Sequence, residues 1–557
     1  MTTRSPRNRS ARALLAVLAL ALTATACQDL ICLADPDEEN LCKPPIDTLD
    51  ENLAVSTPIR YASGVAYRVA AADRITLLHT NDGTAEVLHV TVPNNPTTLV
   101  ARPSDDPARD RAELLVLSES DTSLTVIDTT TMKTRRYALG SPFPSMALSP
   151  DGRYAVLWYS PGSVSTSIVQ NISEMAIIDL DAQPAADTNP QVITLRTFDG
   201  RPQWISFAPA FTMRGQSRRV ALVMSNNYAN LIELDNPNPE DPAVNETVVH
   251  FIQSATVASL RPLEVVWTPD PVEDDDMFAF ILAEGSDDII SLNLLPAEEL
   301  DVQSRPVIRP SLNQLTAGSR PVATALYDLN GVRKLISVNR GSRDIAVIDV
   351  ATSDTAFVPY EGDFNDVIVF QAVNRDTGNE QPYAMLYNDQ ATSRTVTFVE
   401  LATVESRGTR AMMPRVLPGA IQQLTLTQEG GKPRAVVLHP DRRSFSILDL
   451  ERQAVAPLEV AAPIVDYTLV EDGQMVLTAY QSSEYISLTD LKSAHSTAVR
   501  LDTEGRSIFY IQATNSIVVD HAYDLGYATV LPYSTPTRER ANTLRGFAAD
   551  GLLSITE

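Results

Sequence analysis

The chain has 557 residues, 44% of them hydrophobic and 20% charged, with a formal net charge of −26. It is too apolar for a disordered chain, too long for one ordinary domain of about 100–150 residues, and too acidic for a nucleic-acid binder, which presents a basic face. With 3 Cys and 6 His, disulfide-rich scaffolds and large Cys/His metal centres are excluded too.

Residues 1–26 read as a leader. Arg4, Arg7, Arg9 and Arg12 form a basic region ahead of the apolar stretch Ala13 to Leu22. That stretch is too short for a membrane span of about 20 residues and suits a signal peptide. It holds no Arg-Arg pair, so the general secretory route is expected over twin-arginine export. Ala24-Thr25-Ala26-Cys27 resembles a bacterial lipobox, with Ala24 where Leu is usual. The resemblance implies cleavage before Cys27 and lipid modification of that residue; the alternative is an ordinary signal peptide cut after Ala26. Gln28 rather than Asp follows the Cys, which by the sorting rule known for enteric bacteria favours the outer membrane.

Residues 27–54 read as a tether. Asp35, Asp37, Glu38 and Glu39 with Pro44 and Pro45 make a solvated segment. Cys32 and Cys42 remain as one pair, expected to form a disulfide in an oxidising exported compartment; two free thiols are the alternative.

From residue 55 to 557 one pattern recurs. ISVNRGSRDIAVIDV (336–350), LVLSESDTSLTVIDT (115–129) and VVLHPDRRSFSILDL (436–450) are each an apolar run, a polar turn and an alternating run ending in a polar residue. This predicts two strands of an antiparallel hairpin. The near-terminal polar position recurs at His79, Asp128, Asp179, Glu233, Asn293, Asp349, Glu400, Asp449 and Asp490, with a weaker tenth copy at Leu531. Ser149-Pro150-Asp151-Gly152, Asn330-Gly331, Gly430-Gly431 and Asp472-Gly473 lie just upstream of the pattern and predict turns joining a first strand to a second. A period near fifty with about four strands predicts propeller blades.

ISVNRGSRDIAVIDVATSD (336–354), VIDTTTMK (126–133) and MALSPDGRYAVLW (146–158) resemble the repeats of the YVTN-type, lactonase-like β-propeller superfamily. The resemblance covers most of residues 60–532. It implies an all-β fold, one propeller of about eight four-stranded blades with seven to ten open, and leaves function undecided, because that superfamily mixes enzymes with binding proteins. The ring is expected to close by pairing strands from the two ends of the chain, with AADGLLSITE contributing.

Catalytic signatures are missing: the sequence holds no G-x-S-x-G, H-E-x-x-H or C-x-x-C. No metal site or cofactor is expected, and no catalytic residue can be named. Glu273 to Asp276 reads as a solvated acidic run, the six His as strand or loop residues, and the recurring acid as a structural bond to nearby backbone. One positive cluster stands out. Arg201-Pro202, Arg261-Pro262 and Arg320-Pro321 precede the first strands of consecutive units at steps of 60 and 59. If first strands are innermost, the three Arg converge at one mouth of the channel and suit a carboxylate or phosphate ligand; local ion pairing is the alternative.

The leading expectation is a lipid-anchored binding or scaffold protein of the bacterial cell envelope, with a protein, peptide or glycan as partner and no nucleic acid. A lactonase-like enzyme acting on a small anion is second, and a quinoprotein-like dehydrogenase last.

Overall fold

Side-chain alternation and short turns make strands that pair with their nearest neighbours in the chain. The computed structural model describes residues 53, 55–160, 171–182, 189–195, 201–235, 246–251, 260–269, 277–300, 306–374, 377–390, 393–429, 432–440, 443–470 and 473–549. Cys27, Cys32, Cys42 and the acidic run 273–276 lie outside the described residues.

Within the unit Val55–Glu557 the strands form ten four-stranded antiparallel sheets. Ile59–Tyr61, Gly64–Val69, Arg74–Asn81 and Thr84–Thr91 make blade 1. Ser507–Ile511, Ser516–Asp520, Tyr527–Pro532 and Asn542–Arg545 make blade 10. The fold is a ten-bladed β-propeller, at the upper end of the expected range and above the eight blades favoured from sequence. Each of the ten recurring positions, Leu531 included, falls on the third strand of its own blade.

The core is divided among the blade interfaces. In blade 6, Leu335 and Ile336 are adjacent and point to opposite faces, yet both are fully buried. Leu335 packs with Phe280 and Leu282 of blade 5, and Ile336 with Ala384 and Leu386 of blade 7. A strand covered on both faces loses its polar alternation. Each such side chain contributes about 1.5–3 kcal/mol of burial. Fourth strands are more exposed, as Ser496–Arg500 with Val499 its one buried residue, because their outer edge meets water. First strands adjoin the first strands of the next blade, as Arg261–Trp267 does Pro321–Leu329, and are therefore innermost.

The turns behave as their residues require. Asn330-Gly331 joins the first and second strands of blade 6 with φ of 54° and 81°, the left-handed pair of a two-residue hairpin. The recurring acid caps the turn after the third strand. Asp128 Oδ1 accepts from the Thr130 and Thr131 amides at 2.9 and 3.0 Å, Asp349 Oδ1 from Ala351 and Thr352 at 3.0 Å each, and Asp490 Oδ1 from Lys492 and Ser493 at 2.8 Å each. This is the structural role read from the sequence.

Ring closure differs from the expectation. Among the described residues no sheet mixes strands from the two ends. Blades 1 and 10 meet through side chains and loops instead. Tyr67 donates to Asp520 at 3.0 Å, the Gly83 amide to Ser516 Oγ at 3.1 Å, and the Asp82 amide to the Thr514 carbonyl at 3.1 Å. The C-terminal stretch contributes through Phe547, whose ring lies 5.0 Å from that of Tyr67, and through the Ala548 carbonyl, which accepts from Arg74. Both terminal blades are already complete with four strands, so there is no vacant edge to share.

Candidate functional site

Arg201, Arg261 and Arg320 stand where the first strands of blades 4, 5 and 6 begin. Their equivalence in the repeat and their place on consecutive blades are as read from the sequence. Their side chains are not equivalent. Arg261, largely exposed, pairs with Glu284 of its own blade at 3.0 Å, its register partner across the first and second strands. Arg201 is half-buried and donates from Nε to the Tyr159 carbonyl of the preceding blade at 3.1 Å. Arg320 is exposed, takes φ of 52°, and donates its amide to Asp287 Oδ1 at 3.0 Å. One guanidinium is therefore neutralised locally, one is oriented by a neutral carbonyl, and one faces solvent.

Three carboxylates on first strands escaped the sequence reading. Glu264 Oε2 of blade 5 accepts from the Thr324 amide of blade 6 at 3.2 Å. Asp466 Oδ2 of blade 9 accepts from the Ile508 amide of blade 10 at 2.8 Å. Asp366 of blade 7 accepts from Tyr387 Oη and, through Oδ1, from the Val367 amide at 2.7 Å. Two of the three thus stitch one inner strand to the next. Burial pushes Glu264 up to about 7; the Thr324 amide opposes this and the Asp366 charge adds to it. Burial also raises Asp366 and Asp466, against their hydrogen bonds. Glu264 can therefore hold or release a proton near neutrality. The available signal was an acid inside an apolar first strand, as in Pro262-Leu263-Glu264-Val265 and Ile464-Val465-Asp466-Tyr467.

The buried histidines are structural, as expected. His439 Nδ1 donates to the Ala420 carbonyl at 2.7 Å while Nε2 meets Ser446 Oγ at 2.7 Å. His521 repeats this in blade 10 with the Glu504 carbonyl and Thr529 Oγ1, each at 2.8 Å. Each ring ties the segment before a first strand to the third strand. Asn388 makes the first of these bonds in blade 7, to the Asp363 carbonyl at 3.1 Å.

Among the described residues no cluster of three or more His, Cys, Asp or Glu has metal-binding geometry, and no helix is long and apolar enough to cross a membrane.

No family model and no curated protein matches this chain. Solved structures similar to it include the dihydro-haem d1 dehydrogenase NirN in complex with DHE, at 14% identity over 82% of this chain and 74% of that one, with a TM-score of 0.38. A eukaryotic initiation factor is similar at 10% identity over 87% and 95%, with a TM-score of 0.42. Apo AztD from Citrobacter koseri is similar at 12% identity over 69% and 93%, with a TM-score of 0.31. Likenesses at this level carry no functional assignment.

Proposed function

We propose that this protein is an exported, lipid-anchored β-propeller that binds or scaffolds a protein, peptide or glycan partner at the bacterial cell envelope, on the outer membrane. The observation that supports a binding role is how the recurring polar residues are used. Asp128, Asp349 and Asp490 cap their own turns, so the repeat itself serves architecture. Recognition then falls to what varies between blades, the loops and the strand starts. Arg201, Arg261 and Arg320 stand at strand starts of three of the ten blades; with Arg261 held by Glu284, Arg201 and Arg320 would offer an anionic group of the partner a docking point at one mouth of the ring.

The anchor rests on the leader and on Ala24-Thr25-Ala26-Cys27. Cys27→Ser removes the thiol that would carry the lipid. Fatty-acid labelling of the wild type, loss of label in the variant, and its shift from the membrane to the soluble fraction are the expected results. Stable anchoring needs more than one acyl chain, so removing the whole group releases the protein. An unlabelled wild type overturns the anchor. Cross-linking in envelopes followed by identification of the captured partner tests the binding role; capture of none by the anchored wild type counts against it.

A further inference from the structure

On the face of the ring opposite Arg201, Arg261 and Arg320, blade 7 carries a long connection with a helical turn. First strands begin at one face, so in a four-stranded meander the third-to-fourth connections lie on the other. That connection is five residues in blades 2, 6 and 9 and four in blade 8. It is longer in blades 3, 4, 7 and 10, at eleven, twelve, eleven and nine residues, and in blade 7 the connection 401–411 is folded as a helical turn Val404–Arg407 and a 3-10 turn Gly408–Ala411. A blade needs no such length to close. The insertion is nonetheless fixed: Val404 and Ala411 are buried in the core between blades 6 and 7, and Glu405 pairs with Lys334 of blade 6 at 2.5 Å.

The insertion walls a cleft of about 280 Å³ between blades 7 and 8, lined by Arg407, Arg410, Arg415 and Arg452 with Glu400 and Glu451. Both acids are engaged. Glu400 accepts from Asn374 at 2.6 Å, Gln381 at 2.9 Å and Thr403 at 2.7 Å, besides Arg407 at 3.2 Å. Glu451 pairs with Lys432 at 2.6 Å. Arg415 is oriented by two neutral acceptors, the Gln453 carbonyl at 2.9 Å and the Pro414 carbonyl at 3.0 Å, and among the described residues no carboxylate pairs with it. Arg410 is exposed, and among the described residues no carboxylate pairs with it. The corresponding cleft between blades 2 and 3 shows the alternative. There Arg102 and Arg109 face Glu113, Asp128, Asp151 and Asp181, and Arg102 is clamped by both Glu113 and Asp181.

We propose that the cleft between blades 7 and 8 is a binding site for a small multivalent oxyanion, a phosphoryl or polycarboxylate group held by Arg410 and Arg415 with Arg407 at its edge. Arg407 is paired with Glu400 and Arg452 with Asp449, so Arg410 and Arg415, which no carboxylate pairs among the described residues, supply the local positive charge in a chain of net −26. Planar guanidinium forks match such oxygens. The site depends on neither the lipid anchor nor the Arg trio.

Calorimetry on the leaderless protein with pyrophosphate and with citrate, and co-sedimentation with vesicles containing anionic phospholipid, separates free anions from lipid headgroups. One-site binding of at least one probe is expected. Arg410→Ala and Arg415→Lys should each weaken it about ten- to a hundredfold. Arg410 is exposed and no carboxylate pairs with it among the described residues, so its replacement should leave the melting temperature unchanged, and Arg109→Ala in the acidic cleft should leave binding unchanged. Failure of all three probes to bind the wild type overturns the proposal. So does binding that survives Arg410→Ala and Arg415→Lys, including binding lost only with Arg201→Ala, Arg261→Ala or Arg320→Ala, which would move the ligand to the opposite mouth.

Discussion

A single carboxyl can report on how tightly the inner strands are joined. Glu264 holds its proton up to about pH 7 in the folded ring, against an ordinary value of 4.5. Between those values the unfolded chain has released the proton and the folded ring has not. Wild-type stability therefore falls as pH rises through this window and levels off above it. Glu264→Gln keeps an acceptor for the Thr324 amide and removes the titration. Relative to wild type it should gain on the order of 1–3 kcal/mol between pH 5 and pH 8. Urea midpoints at the two pH values measure this, and identical pH slopes in both proteins would show that the carboxyl is not protonated in the fold. The recurring Asp is the opposite case. At Asp490 the Ser493 amide, with that of Lys492, holds the carboxyl below the usual range, so its cap persists into mild acid.

Turns and insertions decide which elements can change without harm. Gly331 and Gly83 occupy left-handed backbone at φ of 81° and 85°. A Cβ on Gly331 meets nothing within 4 Å, whereas on Gly83 it would lie 2.4 Å from Pro532 Cδ. Gly331→Ala should then cost only backbone strain, about 1 kcal/mol. Gly83→Ala adds overpacking at the join between blades 1 and 10, for a total of about 2–4 kcal/mol. Thermal melts of the two variants test the difference; equal losses would mean that the close approach is not maintained in solution. The same distinction separates repeat from departure. The five-residue turn after Asp349 repeats in other blades and reads as architecture, while the eleven-residue connection of blade 7 carries Arg407 and Arg410.

At the scale of the ring, closure depends on buried polar contacts as well as on packing. Asp520, 1% exposed, is shared by Tyr67 at 3.0 Å and Arg506 at 2.7 Å; burial raises it to about 6 against both partners. Tyr67→Phe leaves Arg506 as its side-chain partner and should cost about 1–2 kcal/mol. Because among the described residues no strand crosses the join, the loss should be local. Amide exchange should quicken in blades 1 and 10 more than in blade 6, and a uniform change around the ring would contradict this account.

The strands, their turns and the repeat were legible from sequence because each is set within about fifteen residues. Alternation around Asp349 places the second and third strands, Asn330-Gly331 fixes the hairpin, and the recurring Asp finds amides two and three residues on. Even the blade count was present in the ten marks, although the sequence carries no statement of the angle between blades that decides how many fit a ring. What spans blades was hidden. Glu264 meets Thr324 across 60 residues, Asp466 meets Ile508 across 42, and Tyr67 meets Asp520 across 453. The Arg trio was found by its spacing, yet only the tertiary structure gave Arg261 its Glu284 and left Arg320 in solvent. The cleft of Arg410 and Arg415 likewise needed the fold, because the carbonyl that orients Arg415 belongs to Gln453 of the next blade. Local hydrogen bonding and periodicity are written in neighbouring residues; charge compensation depends on which distant groups the closed ring brings together.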